Sequence, residues 1–288
     1  MTISTILASV STDSFTNTIL EVVHSTGKHF GSHIEVLHVR ADPKALVPYT
    51  GEGMDSAMIE EIMDATERES MERARRVRQS YTEFCDSHND ITEGKSAISS
   101  GTTFSWREEI GREDEVISIR GRLFDLIAVG RPVKDSSLPS PITLEAALLD
   151  TGRPVLLVPP KPPISIGQNI AVAWESSPEA TRAISSALPI LQNANKVMLL
   201  VRDPMEPPEI DAADCLERLS WSGINAEILR FSGNEEEIGA AYLRWSKEVG
   251  ADMLVKGAYG RSRVRQMILG GRTRHIISNA DIPVLLSR

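Results

Sequence analysis

The sequence predicts an α/β fold built from two tandem five-stranded parallel-sheet units packed as a pseudo-dimer. Three observations carry this expectation. Short apolar, β-branched runs alternate with longer segments of helical period, the signature of βαβ units. The run TILASVSTDSFTNTILEVV at 5–23 parallels NIAVAWESSPEATRAISSA at 169–187, each an apolar strand, a small polar turn and a helix. Between them, the proline-rich PPKPPISIG at 159–167 reads as a short stiff linker, which assigns the copies to residues 1–160 and 161–288.

The parallel continues along the chain. HIEVLHVRADP at 33–43 is matched by KVMLLVRDP at 196–204, and FDLIAVGRP at 124–132 by ADMLVKGAY at 251–259. The copies then close on RPVLLVPP and IPVLLSR. In the second copy, strands are predicted near 169–174, 196–202, 225–231, 252–257 and 283–287, with helices between them. The near-continuous apolar character of ADMLV and DIPVLL fits strands covered on both faces by right-handed crossover helices. Apolar edge strands need covering, so the two closing strands are expected to pair with each other as an intramolecular pseudo-dimer, with a homodimer a further arrangement.

The first copy alone carries a long insertion between its second and third strands, GEGMDSAMIEEIMDATERESMERARRVRQSYTEFC. In it Met54, Met58, Ile62, Met71, Ala74, Val77 and Tyr81 recur at near-helical spacing, one apolar stripe opposite a charged face. This is a long docking helix or, because methionine adapts to several shapes, a lid or partner surface.

Composition excludes several classes. A chain of 288 residues with 41% hydrophobic and 25% charged residues is an ordinary soluble protein of one or two domains. No apolar run approaches the roughly 20 residues of a membrane span, and the N-terminus lacks the pattern of a secretory signal, so a cytoplasmic protein without a membrane partner is expected. Cys85 and Cys215 have no partner at metal or disulfide-framework spacing. A net charge of −9 opposes nucleic-acid binding. His24 and His29 fall on a predicted helix and His33 and His38 on opposite faces of the next strand, which disfavours a histidine metal site.

The stretch most suggestive of chemistry is GAYGRSRVRQMILGGRTRHII at 257–277. Gly257 and Gly260 stand at the carboxyl end of a predicted strand, where a missing Cβ permits close approach of a ligand. Gly270 and Gly271 stand where a helix starting near Arg272 presents free N–H groups to an anion. Two readings stay open on these residues alone: a phosphate cradle, or a strand-to-helix turn.

The spacing of Gly257, Gly260 and Gly270 resembles the nucleotide loop of the universal stress protein family. IAVAWESSPEA, LLVRDP, ADIPVLLSR and the duplication itself resemble other parts of that family. The resemblance implies a five-stranded Rossmann-like unit of the adenine-nucleotide alpha hydrolase type, often ATP-binding, that acts in stress responses through partner proteins. It places Ala173 and Val201 at the adenine side, mostly through backbone, and Glu175 where ATP-binding members carry Asp. There the carboxylate meets ribose hydroxyls or Mg2+. Gly271 replaces the usual Ser or Thr, so the resemblance leaves the phosphates to the N–H groups of Gly271 and Arg272 and to Thr273, with Arg261 and Arg272 as counter-charges. In the first copy Gly130 remains, but Val133 replaces the second glycine, Pro132 and Pro139 remove N–H donors, and Ser11 stands at the acidic position. That copy is expected to have lost its nucleotide loop.

GxSxG, a P-loop GK[ST] and paired metal spacings are all absent from the sequence, so no enzyme beyond slow ATP hydrolysis is indicated. The expected function is adenine-nucleotide binding by the second copy, altering contacts with a protein partner. The alternative is a nucleotide-free interaction scaffold with both sites degenerate.

Overall fold

The computed structural model describes residues 2–43, 56–94, 101–134, 136–203, 209–232, 238–258 and 271–288. The N-terminal half runs β1 (Thr5–Ser9), α1 (Asp13–Lys28), β2 (His33–Arg40), α2 (Ser56–Ser87), β3 (Thr92–Glu93), β4 (Thr103–Ile110), α3 (Glu113–Arg120), β5 (Leu126–Gly130), α4 (Pro141–Asp150) and β6 (Val155–Val158). The C-terminal half follows with β7 (Asn169–Trp174), α5 (Pro178–Leu191), β8 (Lys196–Arg202), α6 (Ala212–Trp221), β9 (Ala226–Phe231), α7 (Ile238–Glu248), β10 (Met253–Gly257), α8 (Gly271–Asn279) and β11 (Val284–Ser287).

Among the described residues the strands form one 11-stranded sheet, in the order β3-β4-β2-β1-β5-β6-β11-β10-β7-β8-β9. Every neighbouring pair within a half is parallel. The halves meet where β6 and β11 pair antiparallel, with Val284 opposite Leu157, Leu285 opposite Leu156 and Leu286 opposite Val155. The two apolar closing strands thus cover each other's edges. Alternation of side chains along them feeds both faces: Leu156 and Leu285 enter one core with α1, α2, α5 and α6, while Val155, Leu157, Val284 and Leu286 enter the other with α3, α4, α7 and α8.

Local chemistry explains how these elements begin. Ser177 accepts from the Ala180 N–H and Pro178 follows it at the first position of α5. Ser140 and Pro141 repeat that arrangement at α4. Asp211 and Asp214 form a reciprocal capping box at α6. A shared device ties β1 to the start of β5 and β7 to the start of β10. Asp125 accepts from the N–H groups of Ser4 (2.9 Å) and Thr5 (3.0 Å), and Asp252 from those of Gln168 (3.0 Å) and Asn169 (3.1 Å).

The insertion forms a helix, but its stripe differs from the expectation. Met58 and Met71 are 51% and 52% exposed, and Met54 lies outside the described residues. The buried positions are Ser70, Ala74, Val77, Tyr81 and Phe84, and Ile62 is half-buried. Between 56 and 69 no residue is fully buried, so burial selects a face only from Ser70 onward. Both cysteines are free, and burial pushes each thiol up to about 11, out of the reactive range. No described helix is long and apolar enough to cross a membrane.

Candidate functional site

In the C-terminal half the strands run third, second, first, fourth, fifth across the sheet, and the N-terminal half repeats this order as β4, β2, β1, β5, β6 with the short β3 added outside β4, so the chain leaves β1 and β5, like β7 and β10, toward opposite sides. The crevice outside their carboxyl ends is the switch point at which such sheets take ligands. In the C-terminal half it lies beyond β7 and β10, with Glu175 directly after β7.

Glu175 is held from two sides. Lys256 Nζ lies 3.3 Å from its Oε1, and the Tyr242 hydroxyl donates to the same oxygen at 3.4 Å. The Lys256 side chain is 4% exposed, and its Nζ sits 5.2 Å from the centroid of the fully buried Tyr242 ring. A buried ammonium is costly unless paired, and here a carboxylate and a ring face share it. Strand alternation explains the meeting. Leu254 and Lys256 project toward the α7 and α8 side, where Tyr242 stands, and Lys256 is in register with Ala173, two residues before Glu175.

A cleft of about 170 Å³ opens beside this pair, lined in part by Trp174, Glu175, Val201, Arg202, Arg230 and Tyr242. Its shape follows from two loop contacts: Ser176 Oγ accepts from the Ile210 N–H at 2.9 Å, and Arg230 pairs with the α6 cap Asp211 at 3.5 Å. The charged residues lining it are Glu175, Arg202 and Arg230; Arg230 is paired with Asp211, and Lys256 engages Glu175.

The expected site residues are distributed as follows. Val201 is buried in β8 and lines the cleft. Ala173 is buried in β7 within the core, and its neighbour Trp174 lines the cleft. Gly257 ends β10, but it does not leave a bare surface for a ligand. A Cβ placed there would lie 2.5 Å from Ala180 N and 2.6 Å from Glu179 C, because the start of α5 crosses directly over it. Gly271, Arg272 and Thr273 form the first turn of α8, with Thr273 buried, and Gly260, Arg261 and Gly270 lie outside the described residues. At its other end α8 is tied to the N-terminal half, where Arg131 donates to the Ser278 carbonyl.

Sequence reasoning missed Lys256 and Tyr242. The signal was present in DMLVKG, where a lysine interrupts a run otherwise suited to burial on both faces. Among the described residues no cluster of His, Cys, Asp and Glu could hold a metal ion. The residues at hand do not fit the Mg2+ that the family resemblance suggests. Glu175 is the one carboxylate directly lining the described cleft, and Lys256 engages it. Like charges near 4 Å repel by ~4 kcal/mol per charge pair at an effective dielectric constant of about 20, and a divalent ion doubles this.

The N-terminal half changes both partners together. Ser11 and Val129 occupy the places of Glu175 and Lys256, and both are buried. Over Gly130 the following loop folds back, so that a Cβ there would meet Pro139 Cγ at 2.6 Å and Phe15 Cδ1 at 3.1 Å. Behind it Ser9 and Thr143 donate to the Glu113 carboxylate at 2.7 and 3.0 Å, and burial pushes that carboxyl above the ordinary range. Pro139 and Phe15 thus close in over the end of β5.

The doubly wound sheet and its switch-point crevice define the chain as a tandem Rossmann-like α/β protein. A model of the Universal stress protein family matches residues 167–288 of the chain. The chain is 30% identical over 87 residues to a Synechocystis protein, "Universal stress protein Slr1230"; the match covers 30% of this chain and 29% of that protein's length. A universal stress protein structure from Archaeoglobus fulgidus superposes with a TM-score of 0.64 at 19% identity, covering 99% of this chain and 98% of the other. A second, from Pseudomonas aeruginosa, gives 0.53 at 16% identity over 99% and 93% of the two chains. At these identities the structural matches establish the shared fold.

Proposed function

We propose that the C-terminal half binds an adenine nucleotide, ATP foremost, in the crevice beyond β7, β8 and β10, and that occupancy changes the chain's contacts with a protein partner during stress. The observation that supports this most is the placement of Glu175, Arg202 and Arg230 around a cleft at the switch point, in the half whose sequence retains the glycine-rich loop. Mass spectrometry of small molecules released from the natively purified chain tests it, followed by calorimetric titration with ATP. An adenine nucleotide at near-stoichiometric yield, or saturable ATP binding, is the expected result. A chain that carries none and takes up none overturns it.

One observation favours the scaffold reading. The described cleft, at about 170 Å³, is smaller than the ~300–1,000 Å³ usual for small-molecule sites. Under that reading ATP titration gives no heat, and partner binding is unchanged by nucleotide.

A further inference from the structure

We propose that two copies of the chain associate through α2, packed antiparallel about a twofold axis at Met71. The surface is one flank of that helix. At about 100° per residue, Glu60, Asp64, Glu67, Met71, Arg75 and Arg78 fall within roughly 40° of one line along α2. All six are exposed, Met71 by 52%. The line is acidic before Met71 and basic after it.

The other contacts of α2 lie elsewhere on its circumference. Ser70, Ala74, Val77, Tyr81 and Phe84 are its buried positions. Arg76 pairs with Asp13 of α1 at 3.5 Å and Arg73 with Glu69 at 2.6 Å, all three α2 residues lying roughly 140° or more around the helix from Met71. Arg78 lies over the Tyr81 and Trp106 rings, 5.0 Å from each centroid, which sets the Met71 flank on the β4 side, away from α1. Among the described residues Asp64, Glu67 and Arg75 enter no side-chain ion pair, so this flank keeps its charges for a neighbour.

Spacing identifies that neighbour as a second copy. Glu67 and Arg75 each stand four residues from Met71, and Asp64 and Arg78 each stand seven. A twofold axis at Met71 therefore places Glu67 opposite Arg75 of the second copy and Asp64 opposite Arg78, and symmetry repeats both. Four opposite-charge pairs then flank two methionines, whose side chains adapt to each other. Parallel packing would set Glu67 on Glu67 and Arg75 on Arg75, which like-charge repulsion disfavours. With a net charge of −9 the two chains repel in general, so the match along α2 has to supply the attraction. Exposed ion pairs are individually weak, and a single helix flank falls in the transient class that buries less than about 1,200 Å². The chain is therefore expected to be single below about 10 µM and increasingly paired above about 100 µM.

Sedimentation equilibrium of the full chain tests this in about 20 mM and about 0.5 M salt, between which the screening length falls from about 20 Å to about 4 Å. A low-salt dimer weakened about tenfold or more by high salt is expected. Glu67→Arg and Arg75→Glu should each weaken it about tenfold, and the two together should restore it to within about threefold. Both side chains are exposed, so the core is untouched. Glu67→Arg also reduces the net negative charge, and relief of general repulsion alone would tighten the dimer instead. Orientation is tested by diamide oxidation. Met71→Cys is expected to give a covalent dimer that wild type, with Cys85 and Cys215, does not give. Glu60→Cys should give none, because antiparallel helices hold the two copies of that position about 33 Å apart. A chain that stays single at high concentration in low salt overturns the proposal. So does a dimer indifferent to salt or to both charge reversals, a double exchange that fails to recover, or a Glu60→Cys cross-link as strong as that of Met71→Cys. No nucleotide enters these measurements, so their outcome is independent of the function proposed above.

Discussion

Gly257 and Ala180 stand so close that a single methyl on the glycine would come within 2.5 Å of the alanine's backbone nitrogen. The obstacle is helix backbone rather than a flexible side-chain tip, so α5 would have to shift as a unit. Gly257→Ala is expected to cost roughly 2–3 kcal/mol, toward the upper end of what overpacking usually costs. Urea denaturation measures it, and a midpoint unchanged from wild type would mean that α5 yields freely.

Gly260→Val separates ligand space from packing. A β-branched side chain there resists any positive φ and, on the proposed nucleotide reading, takes the room of a phosphate. The expected outcome is loss of ATP binding in calorimetry for a stability cost of about 1–2 kcal/mol. Unchanged affinity would mark the glycines as turn residues only. The first copy already carries Val133 at this place and closes its sheet.

Asp125 and Asp252 should have equal weight although their halves have diverged. Each accepts two N–H groups from the entry to a first strand, at 2.9 to 3.1 Å. Replacing either by Ala is expected to cost about 2–3 kcal/mol, in the range for hydrogen bonds to a charged acceptor. Thermal melts of the two variants should fall within a few degrees of each other. A large inequality would show that one half melts separately from the other.

Stability should respond to Glu113 in the alkaline direction. Burial raises its carboxyl above the unfolded value, so the protonated form favours the folded state. That contribution is fully present below the unfolded pKa, near 4.3, and is lost as pH rises through the folded value. Glu113→Gln keeps a neutral partner for Ser9 and Thr143 and should flatten this pH dependence. The variant is expected to gain on wild type as pH rises to 7, with the gap narrowing toward pH 4. Parallel melting curves for both proteins across that range would contradict it.

The C-terminal strands were legible almost to the residue, because a strand covered on both faces must be apolar throughout and DMLV, VLLS and IAVAW satisfy that directly. Lys256 is visible as a charge inside the run DMLVKG, but its partner Glu175 is 81 residues away along the chain, so the pairing was not legible. Gly257 illustrates a different limit: sequence marks a place that tolerates no Cβ, but only packing reveals that a helix, rather than a ligand, fills the space. On α2 the methionines fall on the apolar stripe by their spacing, yet the burying face is set by what lies beneath the helix, and that begins at Ser70.

The antiparallel meeting of β6 and β11 has a kinetic and thermodynamic corollary. Two separate copies joined edge to edge would fall apart on dilution, whereas here each strand meets the other at an effective concentration fixed by the short tether between Val158 and Asn169. Closing that contact is a unimolecular event, so the midpoint of its loss should not move with the amount of protein present. On the proposed reading the nucleotide site belongs to the second half alone, so the molecule so formed offers one binding place instead of two equal ones. Its saturation curve should be a plain hyperbola, with a Hill slope of about one and no communication between like sites to steepen it.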